Sequence, residues 1–258
     1  DTTREEIGEV AARLFRSLGK PTFYETLKEA LNAEIRPYDI QSAVAKLRQQ
    51  NGDEVTGWKV GCISSTVQRQ LGIDEPVYGR LFRSQTSRGA QRCSLSGFER
   101  LGIEGELAVE LGRDLRPDSD HEEILRSIDW IFPLIEVHHL PPSDWILDHR
   151  TIIGSNGLHA GFIKGGLLPF DIDELEGLDM SIYIEGVVDQ LISGSELSNG
   201  LLNTLTWLPK RLANDGHALR AGDTVLCGTL ADLYDVNTPS KIRVCLASES
   251  TVEMELIP

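Results

Sequence analysis

The first fifty residues carry a hydrophobic period that is typical of α-helices. Apolar side chains recur every three or four positions over 4–18, and a glycine and a proline follow shortly after. The same spacing predicts a second, short helix over 22–32 and a third over 38–50. The sequence therefore predicts a helical segment over residues 1–52.

Beyond residue 52 the pattern changes to short apolar runs broken by Gly, Pro, Asn and Asp. These runs cover 54–63, 103–111, 131–137, 161–163, 180–188, 223–226, 242–246 and 251–257. Many short strands predict a β-barrel or roll rather than a doubly wound parallel sheet. A longer helical period predicts one amphipathic helix over 199–215. Since no linker is long enough to separate another domain, we predict that 53–258 form one structural unit, on which the segment 1–52 packs.

The charge of the chain excludes several classes of partner. Its 258 residues include 40 acidic and 25 basic side chains, which gives a formal net charge of −15 at pH 7. Neither nucleic acid nor a membrane is expected as a partner, because binding to nucleic acid or to an anionic membrane surface requires positive charge on the protein. A small anionic substrate remains compatible if local positive charge or a metal ion holds it.

The cysteines and the hydropathy of the chain bear on the cellular compartment of the protein. Cys62, Cys93, Cys227 and Cys245 form no Cys-x-x-Cys pair, which argues against a zinc ribbon. No stretch approaches the ~20 apolar residues that a membrane-spanning helix needs. We therefore expect a reduced, cytoplasmic environment.

The strongest local signal for chemistry is the run Ile103-Glu104-Gly105-Glu106-Leu107. In a strand, residues i and i+2 point to the same face, so Glu104 and Glu106 lie side by side with apolar residues opposite. Two close carboxylates repel unless a cation or a proton compensates, and oxygen ligands suit Mg²⁺, Mn²⁺ or Ca²⁺. The alternative is a solvated strand edge with outward-pointing acids.

A third acid, Glu136, stands inside an otherwise apolar run. An unpaired buried carboxylate is costly, so Glu136 either faces water or completes a site with the other two acids. His138 and His139 follow it and are candidate ligands. Carboxylate neighbours favour an oxygen-rich site, however, and solvated loop histidines are the alternative reading.

Lys59 is the next candidate, because it stands in an apolar run between Gly57 and Gly61. Such a lysine either reaches water with its ammonium group or is desolvated. Burial lowers the pKa of a lysine and makes it usable as an acid, a base or a cation for a carboxylate substrate. A purely structural lysine is the alternative.

Together these stretches resemble the 2-keto-4-pentenoate hydratase group of the fumarylacetoacetate hydrolase superfamily. The discriminating set is the glycine-flanked Lys59, the Glu104-Gly-Glu106 strand and the lone Glu136. Further stretches that are similar to motifs of this family are Tyr38–Gln41, Val67–Pro76, Tyr78–Leu81, Leu111–Leu115 and Leu219–Leu230. The resemblance runs nearly from end to end of the chain.

The resemblance implies a fold and a set of site residues. It implies an α+β protein, in which a β-rich roll of the fumarylacetoacetate hydrolase C-terminal-domain type follows the N-terminal helical segment. It implies one Mg²⁺ or Mn²⁺ bound by Glu104, Glu106 and Glu136, and a catalytic role for Lys59. It further implies substrate contacts from Leu81 and Thr229, and a homo-oligomer.

The implied activity is that of a metal-dependent lyase, a hydratase. It would add water to a small 2-oxo or 2-hydroxydienoic acid and release a 4-hydroxy-2-oxo acid, with Lys59 orienting the substrate or moving a proton at its far carbon. The alternative on this scaffold is decarboxylation of a 2-oxo-dienedioate of the oxalocrotonate type. In that case Arg80 or Arg83 would supply a cation for the second carboxylate. Carbon–carbon bond hydrolysis, a third activity of the superfamily, is not expected. The hydrolase subgroup uses a histidine early in the chain to activate water, and here no histidine precedes His121.

Several positions depart from the family pattern. Val77 stands where the family usually carries an acid, and an Asp-Asn-Ala-Ser run is changed to Gly154–Leu158. His138 or His139 stands in place of an acid near the third glutamate. An altered reaction, or a binding protein that keeps the metal site without catalysis, therefore remains an alternative.

The pKa of Lys59 is subject to opposing influences. Burial and a nearby divalent ion lower it, whereas the three glutamates raise it. Because a bound ion would neutralise the glutamates, we expect the pKa of Lys59 to be lowered.

Overall fold

Helices form the N-terminal part of the computed structural model, which describes residues 2–31 and 35–258. They are α1 (Thr2–Ser17), α2 (Phe23–Ala30) and α3 (Pro37–Gln50). The helices predicted from the hydrophobic period are all present, with ends shifted by one or two residues. The end predicted for the second helix, residue 32, lies outside the described residues. The division of the chain at residue 52 stays a prediction.

The remaining helices are shorter, except for one. They are α4 (Ser65–Leu71), α5 (His121–Ser127), α6 (His149–Gly154), α7 (Ile172–Glu176) and α8 (Gly194–Asn214). The helix predicted over 199–215 corresponds to α8, which begins five residues earlier. Ser193 caps it there: its hydroxyl accepts from the Glu196 N–H, and the Glu196 carboxylate accepts from the Ser193 N–H. In the described part of the chain, no helix is both long and apolar enough to cross a membrane.

The strands lie between and after these helices. They are β1 (Val55–Gly61), β2 (Val77–Phe82), β3 (Thr86–Arg88), β4 (Gln91–Ser94), β5 (Arg100–Leu111), β6 (Ile128–Leu140), β7 (His159–Lys164), β8 (Leu168–Pro169), β9 (Met180–Ile184), β10 (Val187–Ile192), β11 (Thr224–Leu226), β12 (Tyr234–Val236), β13 (Ser240–Leu246) and β14 (Ser250–Ile257). The apolar run predicted as one strand over 180–188 is a hairpin of β9 and β10. It turns at Glu185 and Gly186, both of which have positive φ.

These strands form two mixed sheets. The first has the order β2-β1-β11-β5-β6-β7-β3, with β12 beside β5 and β8 beside β6. The second has the order β10-β9-β13-β14-β4. Most neighbours are antiparallel, but β1–β11, β3–β7 and β4–β14 are parallel. The N-terminal helices and this β-rich body confirm the predicted α+β class and exclude a doubly wound sheet.

Alternation along β5 sends its side chains into two environments. Gly105 faces the second sheet so closely that an added Cβ would lie 2.6 Å from Ile182 Cδ1. Glu104 and Glu106 therefore point to the opposite face of the first sheet. We call this face the acidic face. It also carries a small buried apolar cluster, which consists of Leu81, Ala108, Phe132, Leu134, Phe162 and Leu226.

The two glycines that flank Lys59 are predicted to differ sharply in their tolerance of a side chain. A Cβ on Gly57 would lie 1.9 Å from the carbonyl oxygen of Thr224, and the φ of Gly57 is +152°. A Cβ on Gly61 would meet no atom within 4 Å. We expect Gly57→Ala to cost about 3 kcal/mol or more, because it combines backbone strain with a steric clash.

Thermal unfolding of the two matched variants checks this prediction. For a chain of this size, about 3 kcal/mol lowers the Tm by roughly 6–12 °C. The matched variant Gly61→Ala should stay within ~0.5 kcal/mol of the wild type, because its added methyl group clashes with no atom. Equal Tm values for the two variants would contradict the packing of β1 against β11.

Candidate active site

The three predicted acids converge on the acidic face. Glu104 on β5 and Glu136 on β6 are direct partners in the antiparallel ladder, and Glu106 lies two residues further along β5. Directly opposed residues of such a ladder share a face, which places the three carboxylates together. Glu136 and Glu106 are 0% and 1% exposed, whereas Glu104 is only partly buried. The outward-pointing alternative is therefore wrong, while metal binding by these residues stays a prediction.

Lys59 reaches the same carboxylates from another strand. β11 lies between β1 and β5, and Lys59 is aligned with Leu226 and, through it, with Ala108. The ammonium Nζ lies 2.6 Å from Glu136 Oε1 and donates a hydrogen bond to the carbonyl oxygen of Gly157 at 3.0 Å. Lys59 is 3% exposed, so it is a desolvated lysine and does not reach bulk water.

In the metal-free protein the pKa of Lys59 is raised. Burial lowers the pKa, but the charges of Glu136, Glu106 and Glu104 together raise it by more. The lowered pKa was expected for glutamates neutralised by a bound ion, and for the metal-bound protein it stays a prediction. Without that ion their negative charges dominate, and Lys59 is held as an ammonium ion.

The pKa values of two of the glutamates, Glu136 and Glu106, are shifted in opposite directions. Burial raises the pKa of Glu136, but Lys59, His138 and His159 outweigh it and hold that pKa well below its usual range. Burial raises the pKa of Glu106 as well, and the neighbouring charges of Glu136 and Glu104 raise it further, well above the usual range. Glu136 is thus the ionised partner of Lys59, and Glu106 favours its protonated form.

The donor set of these acids fits a hard divalent cation. Glu106 Oε2 and Glu136 Oε2 are buried and have no hydrogen-bond partner among the described residues. When all three carboxylates are ionised, as metal binding requires, they leave two negative charges uncompensated beside one ammonium group, and a divalent ion supplies the matching charge. Carboxylate oxygens are the ligands that Mg²⁺ and Mn²⁺ favour. The buried unpartnered oxygens are therefore the observation that favours a metal here.

Two histidines also contact the acids. His138 Nε2 lies 2.7 Å from Glu104 Oε2 and 3.4 Å from Glu136 Oε2. His159 Nδ1 lies 2.6 Å from Glu136 Oε1. The donor atoms of Glu104, Glu136 and His138 all lie within 4.8 Å of one another. Sequence reasoning considered His138 as a ligand but missed His159 entirely, because no spacing or motif links it to the acids.

The histidine pair after Glu136 does not form a solvated loop. Both residues belong to β6, where alternation sends their side chains to opposite faces. His138 is buried beside the acids. His139 packs edge-on against the rings of Tyr24 and Phe98, at centroid distances of 5.2 and 5.9 Å. The loop interpretation is therefore wrong, and only one of the two histidines lies at the site.

Both predicted substrate-contact residues are near the acids, but they are already engaged. Leu81 is completely buried in the apolar cluster of the acidic face. The Thr229 hydroxyl donates to the carbonyl oxygen of Gly105 at 3.0 Å and accepts from the Ala231 N–H at 2.9 Å. Thr229 thus fixes the backbone between Glu104 and Glu106, and its contact with substrate stays a prediction.

The two arginines considered for a second substrate carboxylate are used elsewhere. Arg80 is the ladder partner of Trp58, so it shares the face of Trp58 and not that of Lys59. Its guanidinium contacts a set of polar atoms on the other side of the sheet: Gln41 Oε1, Ser42 Oγ and His217 Nε2. Arg83 pairs with the Glu54 carboxylate at 2.6 Å. Neither arginine is directed toward the acids.

The altered segment Gly154–Leu158 keeps a place at the site. Asn156 clamps β2, because its side chain accepts from the Arg80 N–H at 2.7 Å and donates to the Arg80 carbonyl at 2.8 Å. Gly157 then presents its carbonyl oxygen to Lys59. Val77, which replaces an acid of the family, is buried, so no carboxylate is available at that position.

The fold and the site together indicate a class of protein. A β-roll carries buried Lys59 beside three glutamates, two on β5 and one on β6. The family model for the fumarylacetoacetate (FAA) hydrolase C-terminal matches residues 74–257, and the chain belongs to this family. This confirms the resemblance that the motifs indicated.

Among sequence relatives, hydratases are prominent. The chain is 30% identical over 211 residues to the 2-keto-4-pentenoate hydratase of Paraburkholderia xenovorans (strain LB400), covering 81% of this chain and 78% of that protein. It is 28% identical over 223 residues to the 2-hydroxyhexa-2,4-dienoate hydratase of Comamonas testosteroni, covering 84% of each.

Among solved structures, the 4-oxalocrotonate decarboxylase from Pseudomonas putida G7, complexed with magnesium and adipate, has the same fold over 98% of both chains. The TM-score is 0.82 and the sequence identity 21%. The fumarylpyruvate hydrolase from Pseudomonas aeruginosa, in complex with Mn²⁺ and pyruvate, gives a TM-score of 0.56 at 14% identity, over 78% of this chain and 88% of that one.

Proposed function

We propose that this protein is a divalent-metal-dependent hydratase that adds water to a small 2-oxo or 2-hydroxydienoic acid and yields a 4-hydroxy-2-oxo acid. The observation that carries the proposal is the contact of buried Lys59 with Glu136 inside the cluster of three glutamates. A desolvated ammonium group beside a cation-binding cluster can bind an anionic substrate and exchange a proton with it. The names of the sequence relatives support this substrate class.

The metal in this proposal is Mg²⁺ or Mn²⁺, held by Glu104, Glu106 and Glu136. When bound, it supplies positive charge that stabilises the negative charge developing on the 2-oxygen of the substrate. Lys59 donates to the substrate or transfers a proton at its far carbon. Gly157 and Glu136 hold the ammonium group in place meanwhile. Leu81 and Thr229 bound the substrate site.

The orientation of Arg80 and Arg83 favours a monocarboxylate over a dienedioate. A second carboxylate needs a cation, and both Arg80 and Arg83 are directed away from the acids. The apolar cluster on the acidic face is instead suited to an uncharged tail. Hydration is therefore favoured over decarboxylation, although the fold is that of the decarboxylase from Pseudomonas putida G7 as well.

Product analysis tests the proposal. Protein loaded with Mg²⁺ or Mn²⁺ is incubated with 2-hydroxyhexa-2,4-dienoate and, in parallel, with 4-oxalocrotonate. We expect the dienoate to give a 4-hydroxy-2-oxo acid by NMR, with a kcat/KM at least ~10-fold above that for oxalocrotonate, about the discrimination that one missing contact produces. Faster CO₂ release from oxalocrotonate would establish the decarboxylase instead. Binding of oxalate without turnover of either compound would favour a binding protein.

The proposed setting is a cytoplasmic homo-oligomer. All four cysteines are free thiols, in keeping with a reducing environment. The edge strand β10 exposes Val187, Val188 and Leu191 to 69%, 51% and 64%. Exposed apolar side chains on a sheet edge favour association with another chain.

A further inference from the structure

His138 gives the acid cluster a nitrogen donor. Its imidazole is buried, with the side chain 4% exposed, and Nε2 is 2.7 Å from Glu104 Oε2. Nε2 is also 3.4 Å from Glu136 Oε2, the oxygen of that carboxylate which has no hydrogen-bond partner. One imidazole nitrogen and two carboxylate oxygens thus face a common point, within 4.8 Å of one another.

The sheet geometry explains why His138 reaches this point. Along β6, His138 follows Glu136 by two residues and therefore shares its face. Its ladder partner on β5 is Gly102, which places no side chain between the imidazole and Glu104. The other ring nitrogen, Nδ1, is buried and has no partner among the described residues, so the ring is held through Nε2.

The other oxygen of Glu136 is engaged separately. Oε1 lies 2.6 Å from both Lys59 Nζ and His159 Nδ1. These two contacts fix the rotation of the carboxylate and direct Oε2 toward His138 and Glu104. Oε1 of Glu136 is therefore fixed by these contacts, whereas Oε2 is available as a metal ligand.

We propose that His138 is a ligand of the divalent ion, so that the site is a mixed nitrogen–oxygen site that prefers Co²⁺, Zn²⁺ or Mn²⁺ to Mg²⁺. The inference rests on the proposed function only in assigning a ligand to the same ion. Mg²⁺ takes oxygen ligands almost exclusively, whereas imidazole suits first-row transition metals. A purely carboxylate site would discriminate less strongly between these ions.

Metal titrations test the preference. Isothermal titration calorimetry with Mg²⁺, Mn²⁺ and Co²⁺ is carried out on the wild type, on His138→Gln and on the matched control His139→Gln, whose imidazole lies on the opposite face. We expect the wild type and the control to bind Co²⁺ at least ~10-fold more tightly than Mg²⁺. His138→Gln should lose ~10- to 100-fold in Co²⁺ affinity. Mutation of a residue that only hydrogen-bonds to a metal ligand already causes a loss of this size. Its Mg²⁺ affinity should change by less than ~3-fold.

Pulsed EPR of the Mn²⁺-loaded protein reports the ligand directly. Modulation from a coordinated ¹⁴N nucleus should be present in the wild type and in His139→Gln and absent from His138→Gln. The wild-type spectrum decides the question even if His138→Gln does not fold. Absence of ¹⁴N modulation from the wild type, or its persistence in His138→Gln, overturns the inference.

The outcomes separate this inference from the proposed function. If the wild type prefers Mg²⁺ and His138→Gln binds every ion normally, the glutamates form an oxygen-only site; the inference then fails and the hydratase proposal stands. If no divalent ion binds the wild type, both fail together.

Discussion

Lys59→Met should fold, bind the divalent ion and lose ~10²-fold or more in kcat, the usual scale for a general acid or base. Methionine keeps roughly the volume of the stem and removes only the ammonium group. In the structure that group is buried and contacts Glu136 and the Gly157 carbonyl. Circular dichroism, calorimetric titration with the divalent ion and steady-state kinetics with the dienoate measure the three parts of the expectation.

Lys164→Met is the matched control for the loss of a buried ammonium group. Lys164 is also 3% exposed, but it pairs with Glu110 and lies over the ring of Phe132. Both variants remove one partner of a buried ion pair, which destabilises by about 3–5 kcal/mol. Only Lys59→Met should lower kcat at temperatures where both variants are folded. An equal loss of kcat in both would assign Lys59 to stability alone.

Lys59→Arg separates proton transfer from charge. A guanidinium group keeps its proton at any working pH, so arginine should not restore the rate. If it does restore the rate, Lys59 is only a cationic clamp and the proton moves through water, His138, His139 or Cys62. The structure disfavours two of these alternative proton carriers. His139 faces Tyr24, on the side of the sheet away from the acids, and burial raises the pKa of the Cys62 thiol to about 11.

Glu104→Gln, Glu106→Gln and Glu136→Gln should each weaken divalent-metal binding and nearly abolish activity. Each variant replaces a carboxylate ligand, which is negatively charged when the ion is bound, by a neutral amide. Calorimetric titration and kinetics are the measurements. Glu110→Gln is the matched control: Glu110 lies on the same face of β5 but pairs with Lys164. Normal metal affinity in all three variants would contradict metal binding by these glutamates.

The metal-free stabilities of these variants should differ in a way that only this geometry predicts. Glu136 is the ionised partner of Lys59, so Glu136→Gln leaves a buried ammonium group unpaired and should cost about 3–5 kcal/mol. Glu106 favours its protonated form because of burial and of its acidic neighbours, which raise its pKa. Since glutamine resembles that neutral form, Glu106→Gln should leave the metal-free Tm nearly unchanged. A larger drop for Glu106→Gln than for Glu136→Gln would reverse the assignment of charge.

Local periodicity was sufficient for much of this site. The three-to-four-residue period placed the N-terminal helices, and the two-residue period placed Glu104 and Glu106 on one face of a strand. The apolar surroundings of Glu136 and Lys59 left open whether either side chain reaches water, and the structure shows that both are buried. The two periods depend on residues adjacent in sequence, which is why they can be read without knowledge of the fold.

Elements that contradict their own local pattern were missed. β2 was not predicted, because Arg80 interrupts the apolar run 77–82. That arginine is buried at no prohibitive cost only because Gln41 on α3 and His217 after α8 supply its partners. A polar residue that is satisfied by distant partners cannot be recognised from its neighbours in sequence.

The sequence by itself identified the side chains for which we propose chemistry, and it placed Glu104 and Glu106 on one face of their strand. The tertiary structure alone decided that Glu136 is aligned opposite Glu104, that Lys59 reaches them across β11, and that Arg80 points away. It also brought in His159, 23 positions from the glutamate it contacts. The physical reason is that a face follows from local alternation, whereas register and strand order follow from the packing of segments far apart in the chain.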